Sequence, residues 1–139
     1  MADKRISGPG FHHVAIRVRD FDATLKFYSE GLGFARRYGW GEGDKRAALL
    51  DTGDGNYLEV FAGAKRAVGE DASEGAILHF AMRVADTDAA LARAVVAGAR
   101  TTMEPKDVPI DGDYPVTVRI AFCKGLDGEL IEFFQNEEL

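Results

Sequence analysis

Two stretches of this chain have closely similar sequences, and this internal repeat constrains the fold more than any other feature. Residues 13–20 align with residues 79–86 at a constant offset of 66, and His, Ala, Arg, Val and Asp recur in register. Residues 54–61 align in the same way with residues 127–134, at an offset of 73. The chain therefore contains two copies of one unit, and the second copy carries seven additional residues.

Each copy has the same order of local patterns. An alternating strand leads into an Asp-containing helix start, the helix ends at glycine, and three strand-like runs follow. The first copy predicts strands over residues 11–19, 34–40, 46–50 and 57–61, and a helix that ends at Gly31 and Gly33. The second copy predicts strands over residues 77–84, 100–103, 116–122 and 130–134, and a helix over residues 87–96. The proline-containing residues 104–115, where the insertion falls, are predicted to form a loop.

These patterns predict an α+β fold made of two β-α-β-β-β modules. One module alone would leave a sheet face open to solvent, so we expect the two modules to form a single domain over residues 1–139. Module one covers about residues 8–66 and module two about residues 75–136. We expect their strands to form a curved, partly open β-barrel around a metal site.

Composition narrows the class of partner and the compartment. The net charge is −6 and the basic residues are scattered, which argues against nucleic-acid binding. The single cysteine, Cys123, lies in an apolar run, so we expect a buried thiol and neither a disulfide nor a cysteine-ligated metal. Because no signal-peptide core or membrane-spanning run is present, we expect a soluble cytoplasmic protein with no membrane association.

The repeat places a histidine and a glutamate at equivalent positions in each module. Alternate side chains of a strand share a face, so His13 and His79 each lie opposite the aliphatic residues that pack on the helix. Glu59 and Glu132 each lie among apolar and aromatic residues, where an unpaired carboxylate is costly to bury. His12 has the opposite parity and no repeat partner of its type, so it is not predicted to be a ligand.

A divalent cation would satisfy all four side chains at once. Two neutral imidazoles and two carboxylates balance the charge of a dication, and its remaining coordination positions would stay open to substrate. The sequence therefore predicts a catalytic metal site with His13, Glu59, His79 and Glu132 as ligands.

Four motifs give the chain a resemblance to the glyoxalase/bleomycin-resistance/extradiol-dioxygenase superfamily, also called the vicinal oxygen chelate superfamily. They are the His-Val-Ala-Ile-Arg-Val strand at residues 13–18, the Phe-Tyr-x-x-x-Leu-Gly-Phe run at residues 27–34, Tyr-Leu-Glu at residues 57–59, and the segment from Asp127 to Glu132. The His, Glu, His, Glu ligand order resembles that of bacterial glyoxalase I. The resemblance implies one divalent ion per site (Ni, Co or Zn, with Mn or Fe as alternatives) and a homodimer, with the site either within one chain or shared between subunits.

By the same resemblance, the expected function is that of a lactoylglutathione lyase-like lyase or isomerase, acting through an enediolate on a hemithioacetal or a related vicinal-oxygen substrate. Glu132 is then the catalytic base and Glu59 its counterpart. No Asn follows Glu59 to contact glutathione, as one typically does in bacterial glyoxalase I. Four repeat-related arginines are the candidate substrate-binding residues, with ion pairing at the barrel ends as the alternative: Arg17, Arg83, Arg46 and Arg119. Other expected functions are an epimerase, a dioxygenase or a non-catalytic binding protein.

Overall fold

Strands and helices occur in the same order in both halves of the chain. The computed structural model describes residues 10–72 and 75–139. The strands are β1 His13–Arg17, β2 Ala35–Trp40, β3 Ala47–Asp51, β4 Tyr57–Phe61, β5 Phe80–Arg83, β6 Arg100–Asp111, β7 Pro115–Lys124 and β8 Leu130–Gln135. The helices are α1 Phe21–Lys26, which continues as the π-helical turn Phe27–Gly31, the 3-10 turn Gly43–Lys45, and α2 Thr87–Ala97. None of the helices in these residues is long and apolar enough to cross a membrane.

The two helices begin at repeat-related aspartates. Asp20 accepts a hydrogen bond from the backbone N–H of Ala23, and Asp86 accepts one from Ala89, each at 3.0 Å. These N-caps satisfy backbone donors that would otherwise be unpaired at the first turn. The π-helical turn also packs closely on α2, because a Cβ atom on Gly31 would lie 2.5 Å from the Cβ of Ala97.

The strands form two four-stranded sheets of identical topology. Their orders are β1-β4-β3-β2 and β5-β8-β7-β6, with β1 parallel to β4, β5 parallel to β8, and every other pair antiparallel. The predicted α+β fold with two repeated modules is confirmed. Across the described residues no strand pairing joins the two sheets and no closed barrel forms, and the outer strands β1, β2, β5 and β6 each keep one unpaired edge.

The prediction of a loop over residues 104–115 is wrong. This segment continues β6 to Asp111 and returns in β7 from Pro115, so the insertion lengthens a β-hairpin. Pro105 and Pro109 are tolerated because β6 is the outer strand of its sheet, and Pro115 because it is the first residue of β7. Pro105 also falls at an irregularity, where the pairing shifts between Met103 and Lys106.

The hydrophobic core draws on both modules. Leu58 and Val60 of the first module and Ile131 and Phe133 of the second are at most 2% exposed and belong to one cluster with residues of both helices. Side chains alternate along β4, so Glu59 lies on the side of the strand opposite Leu58 and Val60. Cys123 is fully buried in the same cluster, and burial raises the pKa of its thiol to about 11, as expected for an inert cysteine.

A polar network around Asp127 attaches the first module to the β7–β8 turn of the second. The nearly buried Asp127 carboxylate accepts hydrogen bonds from the Arg19 backbone N–H at 3.0 Å and from Arg66 Nη2 at 2.9 Å. Arg19 Nη2 also donates to the carbonyl of Leu126 at 2.9 Å, and the Ala72 N–H donates to the Asp127 carbonyl. Because Arg19 follows β1 and Arg66 lies in the segment between β4 and β5, these bonds hold the two modules together.

Glu129 lies in the same turn and is poorly solvated. Burial is the main cause that raises the pKa of its carboxyl to about 7; the charge of Asp127 raises it further and that of Arg66 partly opposes the shift. Within the described residues, neither Glu129 Oε2 nor the hydroxyl of Tyr28 has a hydrogen-bond partner. Burial of Tyr28, next to the Glu129 charge, raises its pKa as well. The neutral form of Glu129 is therefore favoured by the folded state.

Replacing Glu129 by Gln should remove a pH-dependent loss of stability. Between about pH 4.5 and 7 the unfolded chain loses this proton before the folded chain does, so wild-type stability falls as pH rises through that window. We expect Glu129→Gln to gain up to about 3 kcal/mol relative to wild type from pH 4.5 to 7.5, as measured by urea unfolding. Glu104→Gln, which alters an exposed carboxyl, should follow the wild-type curve. A constant difference between Glu129→Gln and wild type across this range would contradict the assignment.

Candidate metal centre

Each module contributes one His–Glu pair, which we call a half-site. The first half-site, His13 and Glu59, lies on the neighbouring strands β1 and β4. Their parallel register pairs His13 with Tyr57 and Ala15 with Glu59. The Nε2 atom of His13 lies 3.4 Å from Oε1 of Glu59, and the two side chains are 40% and 14% exposed. The imidazole is thus open to solvent, whereas the carboxylate is sheltered by its strand neighbours.

The second half-site has the same construction in the other sheet. His79 immediately precedes β5, and Ala81 pairs with Glu132 of β8. The Nε2 atom of His79 lies 2.8 Å from Oε2 of Glu132, and the side chains are 33% and 11% exposed. The His79 ring also meets the edge of Phe122, with the ring centroids 5.2 Å apart. This pair is therefore tighter and better packed than its counterpart.

The four predicted ligands are thus brought together as two pairs. In each pair an imidazole nitrogen and a carboxylate oxygen face one another, and this donor set suits a first-row divalent metal. Across residues 10–72 and 75–139, no group of three or more His, Cys, Asp or Glu side chains comes close enough to hold a metal ion. Each pair has the chemistry of half a metal site, and the complete ligand set stays a prediction.

His12 has a contact that the sequence did not suggest. Its Nδ1 atom lies 2.9 Å from Nδ1 of His13, so one ring donates a hydrogen bond to the other, and its ring lies against Tyr57 with the centroids 5.1 Å apart. A hydrogen bond at Nδ1 orients the His13 ring and leaves Nε2 directed at Glu59. His12 is therefore a positioning residue for His13, and only its adjacency in sequence could have indicated this.

The candidate substrate arginines divide into two groups. Arg17 lies on the Glu59 face, with its guanidinium carbon 5.2 Å from the ring centroid of Phe61. Arg83 pairs in register with Phe134, two residues beyond Glu132, and lines a cavity of about 680 Å³ that also includes His13. Each arginine thus occupies the equivalent position next to its half-site.

Arg46 and Arg119 are not brought to either half-site, and their contacts agree with the alternative of ion pairing, so a role in substrate binding stays a prediction for them. Arg46 pairs with Asp22 at 3.1 Å, and Arg119 pairs with Asp88 at 2.7 Å and with Asp107 at 3.2 Å. Asp22 and Asp88 belong to the first turns of α1 and α2. Both arginines thus lie on the helix side of their sheets, and their repeat relation reflects equivalent strand-to-helix ion pairs.

Comparison with known proteins decides the family. The model of the glyoxalase/bleomycin resistance protein/dioxygenase superfamily matches residues 10–133. The chain belongs to this superfamily. It is 32% identical over 129 residues to a protein of Vibrio cholerae serotype O1 named "Probable lactoylglutathione lyase", and the match covers 91% of this chain and 90% of that protein.

Solved structures share the fold. A variant of glyoxalase I from Zea mays is 25% identical with a TM-score of 0.72, over 92% of this chain and 45% of the maize chain. A variant of the fosfomycin resistance protein FosX from Listeria monocytogenes, in complex with Mn(II) and a dihydroxypropylphosphonic acid, has a TM-score of 0.66 at 15% identity, over 93% of each chain. The FosX likeness concerns the fold alone.

The geometry predicts an asymmetry between the two half-sites in the metal-free protein. His79→Ala leaves the nearly buried Glu132 carboxylate without its partner, so we expect a loss of about 1–3 kcal/mol in the free energy of unfolding. His13→Ala should cost less, because its pair is longer and more exposed. Urea unfolding in the presence of a chelator measures both, and Glu104→Gln, which alters an exposed carboxyl away from both pairs, is the control and should leave the free energy of unfolding unchanged. An equal or larger cost for His13→Ala would contradict the prediction.

Proposed function

We propose that the chain is a divalent-metal-dependent lyase or isomerase of the glyoxalase I type. Its substrate would be a small molecule with two neighbouring oxygens, such as a hemithioacetal, and the reaction would move a proton beside a carbonyl. The observation that carries this proposal is the His–Glu pair that recurs at equivalent places in the two modules. The likeness to a probable lactoylglutathione lyase and to a glyoxalase I supports the same reaction class.

We further propose that the complete site forms between two copies of the chain. Each half-site lies next to a sheet edge that has no partner strand, β1 in one module and β5 in the other. Large apolar side chains near these edges are exposed, Phe11 by 86% and Ile77 by 80%. Contiguous exposed apolar surface favours association. A homodimer that sets β1 of one subunit beside β5 of the other would cover it and join His13 and Glu59 to the second half-site of the partner.

The donor set suits Ni, Co or Zn, with Mn or Fe as alternatives. A divalent ion held by both half-sites would stabilise the negative charge that develops on two neighbouring substrate oxygens.

The protein groups carry the proton and orient the substrate. In this proposal Glu132 takes the proton from the carbon beside the carbonyl and returns it to the adjacent carbon. Its side chain is 11% exposed, which limits exchange of that proton with bulk water. Glu59 is its counterpart in the other module. Arg17 and Arg83 would bind anionic parts of the substrate. Each lies on the strand next to a carboxylate and pairs with the residue two positions after that carboxylate.

Metal content and product formation test this function together. Protein loaded with Ni²⁺, Co²⁺ or Zn²⁺ should retain about one ion per chain, since each chain supplies one copy of each half-site. It should form lactoylglutathione from methylglyoxal and glutathione. Glu132→Gln at saturating metal should lower kcat by about 10²- to 10⁴-fold, the usual contribution of a general base. Each ligand substitution should weaken metal binding by at least about a hundredfold, because changes to groups that only orient ligands already cost about 10- to 100-fold.

The exposed Glu104 provides the control, and Glu104→Gln should change neither metal content nor kcat. A protein that takes up no metal would contradict the proposal and leave small-molecule binding as the function. Oxygen uptake with catechols in the presence of iron, without lactoylglutathione formation, would replace it by a dioxygenase function.

A further inference from the structure

Three aromatic side chains extend the Glu59 face of the first sheet outward from the half-site. The strand register places Trp40, Ala47, Phe61 and Arg17 side by side in one row across the sheet. The next row contains Tyr38 and Glu59, with Leu49 between them. Neighbouring strands lie about 4.8 Å apart, so the two aromatic residues of β2 stand about 10 Å from β4.

The rings contact one another in sequence across the sheet. Tyr38 and Trp40 are tilted at 33° with their centroids 5.9 Å apart, and Trp40 meets Phe61 edge-on at 6.3 Å. Ala47 lies between Trp40 and Phe61 in the row and is only 2% exposed. Together, Tyr38, Trp40 and Phe61 form what we call the aromatic surface.

The aromatic surface is exposed and has a positive charge at one end. Tyr38 is 61% exposed and Trp40 41%, although both pair with residues of β3. At the opposite end the Arg17 guanidinium lies over the Phe61 ring and, among the described residues, donates one hydrogen bond, to the Ala62 carbonyl at 2.9 Å. A guanidinium has five N–H donors, so others remain for a ligand.

We infer that the aromatic surface binds a flat aromatic ring that carries an anionic group, with the ring against Tyr38 and Trp40 and the anion directed at Arg17. Rings of this kind stack on aromatic side chains, and the adjacent guanidinium selects a negative charge. The inference rests on the proposed function in one respect, since it names the substituent of the substrate that reacts at the adjacent half-site. A charged aryl group would thus be preferred to a small aliphatic one.

Calorimetric titration with 2-naphthoate tests the inference. Decahydro-2-naphthoate has the same charge but no flat ring, and 2-naphthamide has the ring but no charge. We expect 2-naphthoate to bind saturably and at least about tenfold more tightly than either analogue. Trp40 is the only tryptophan of the chain, so its emission should change with the same binding constant.

Variants separate the aromatic surface from other exposed aromatic residues. Trp40→Ala and Tyr38→Ala should each weaken 2-naphthoate binding at least about fivefold. Tyr114→Ala is the matched control, because Tyr114 is 53% exposed but lies at the turn between β6 and β7. Arg17→Gln should reduce the affinity for 2-naphthoate to that for 2-naphthamide, whereas Arg17→Lys should retain part of the preference.

Two results would overturn the inference. One is equal affinity for 2-naphthoate and its saturated analogue. The other is conversion of a dimer to a monomer by Trp40→Ala in sedimentation velocity, which would make the aromatic surface a contact with a second copy.

The proposed function fails separately: a protein that takes up no metal but still prefers 2-naphthoate contradicts the metal site alone. A metal-loaded, active protein without this preference contradicts the aromatic surface alone.

Discussion

The structure depends on how it accommodates one carboxylate in an apolar strand of each module. Glu59 and Glu132 lie between residues that pack into the core, and leaving such a charge without a partner costs several kcal/mol in practice. In each module the partner is the imidazole of the strand alongside, at 3.4 Å and 2.8 Å. An imidazole–carboxylate pair of this kind can also ligate a metal. The contact that compensates each poorly solvated carboxylate therefore also creates two equivalent half-sites.

Duplication gives the two faces of each sheet separate roles. The helix-facing sides share one core, and the Asp127 network fixes one module against the other. The opposite sides stay accessible and carry the half-sites, the arginines at the equivalent positions and, in the first module, the aromatic surface. The shared side thus contributes stability, and the open sides are free to carry the proposed ligand sites. The unpaired edges of β1 and β5 are where a second copy would complete both.

Strand parity and helix capping could be predicted from the sequence, whereas features that depend on distant partners could not. The repeat and side-chain alternation, which is a local property, indicated His13, Glu59, His79 and Glu132 as equivalent residues of the two modules. The pairing of β1 with β4 and of β5 with β8, which sets each histidine beside its glutamate, is a long-range contact that the pattern did not give. The local pattern was misleading for residues 104–115, since an edge strand tolerates prolines that normally indicate a loop. Arg46 could not be assigned either, because its aspartate partner lies 24 residues earlier in the chain. The separation of the two sheets depends on module packing, which the residue pattern within a module does not determine.

Metal binding by mixed subunits tests most directly whether two half-sites from different copies surround one ion. One variant carries His13→Ala and Glu59→Gln, the other His79→Ala and Glu132→Gln, and each alone should bind metal poorly. Refolded together in equal amounts, they should recover about a quarter of the wild-type metal content, since half of the randomly formed dimers contain one intact site of two. Metal content no higher than that of the separate variants would show that the site is not shared between subunits.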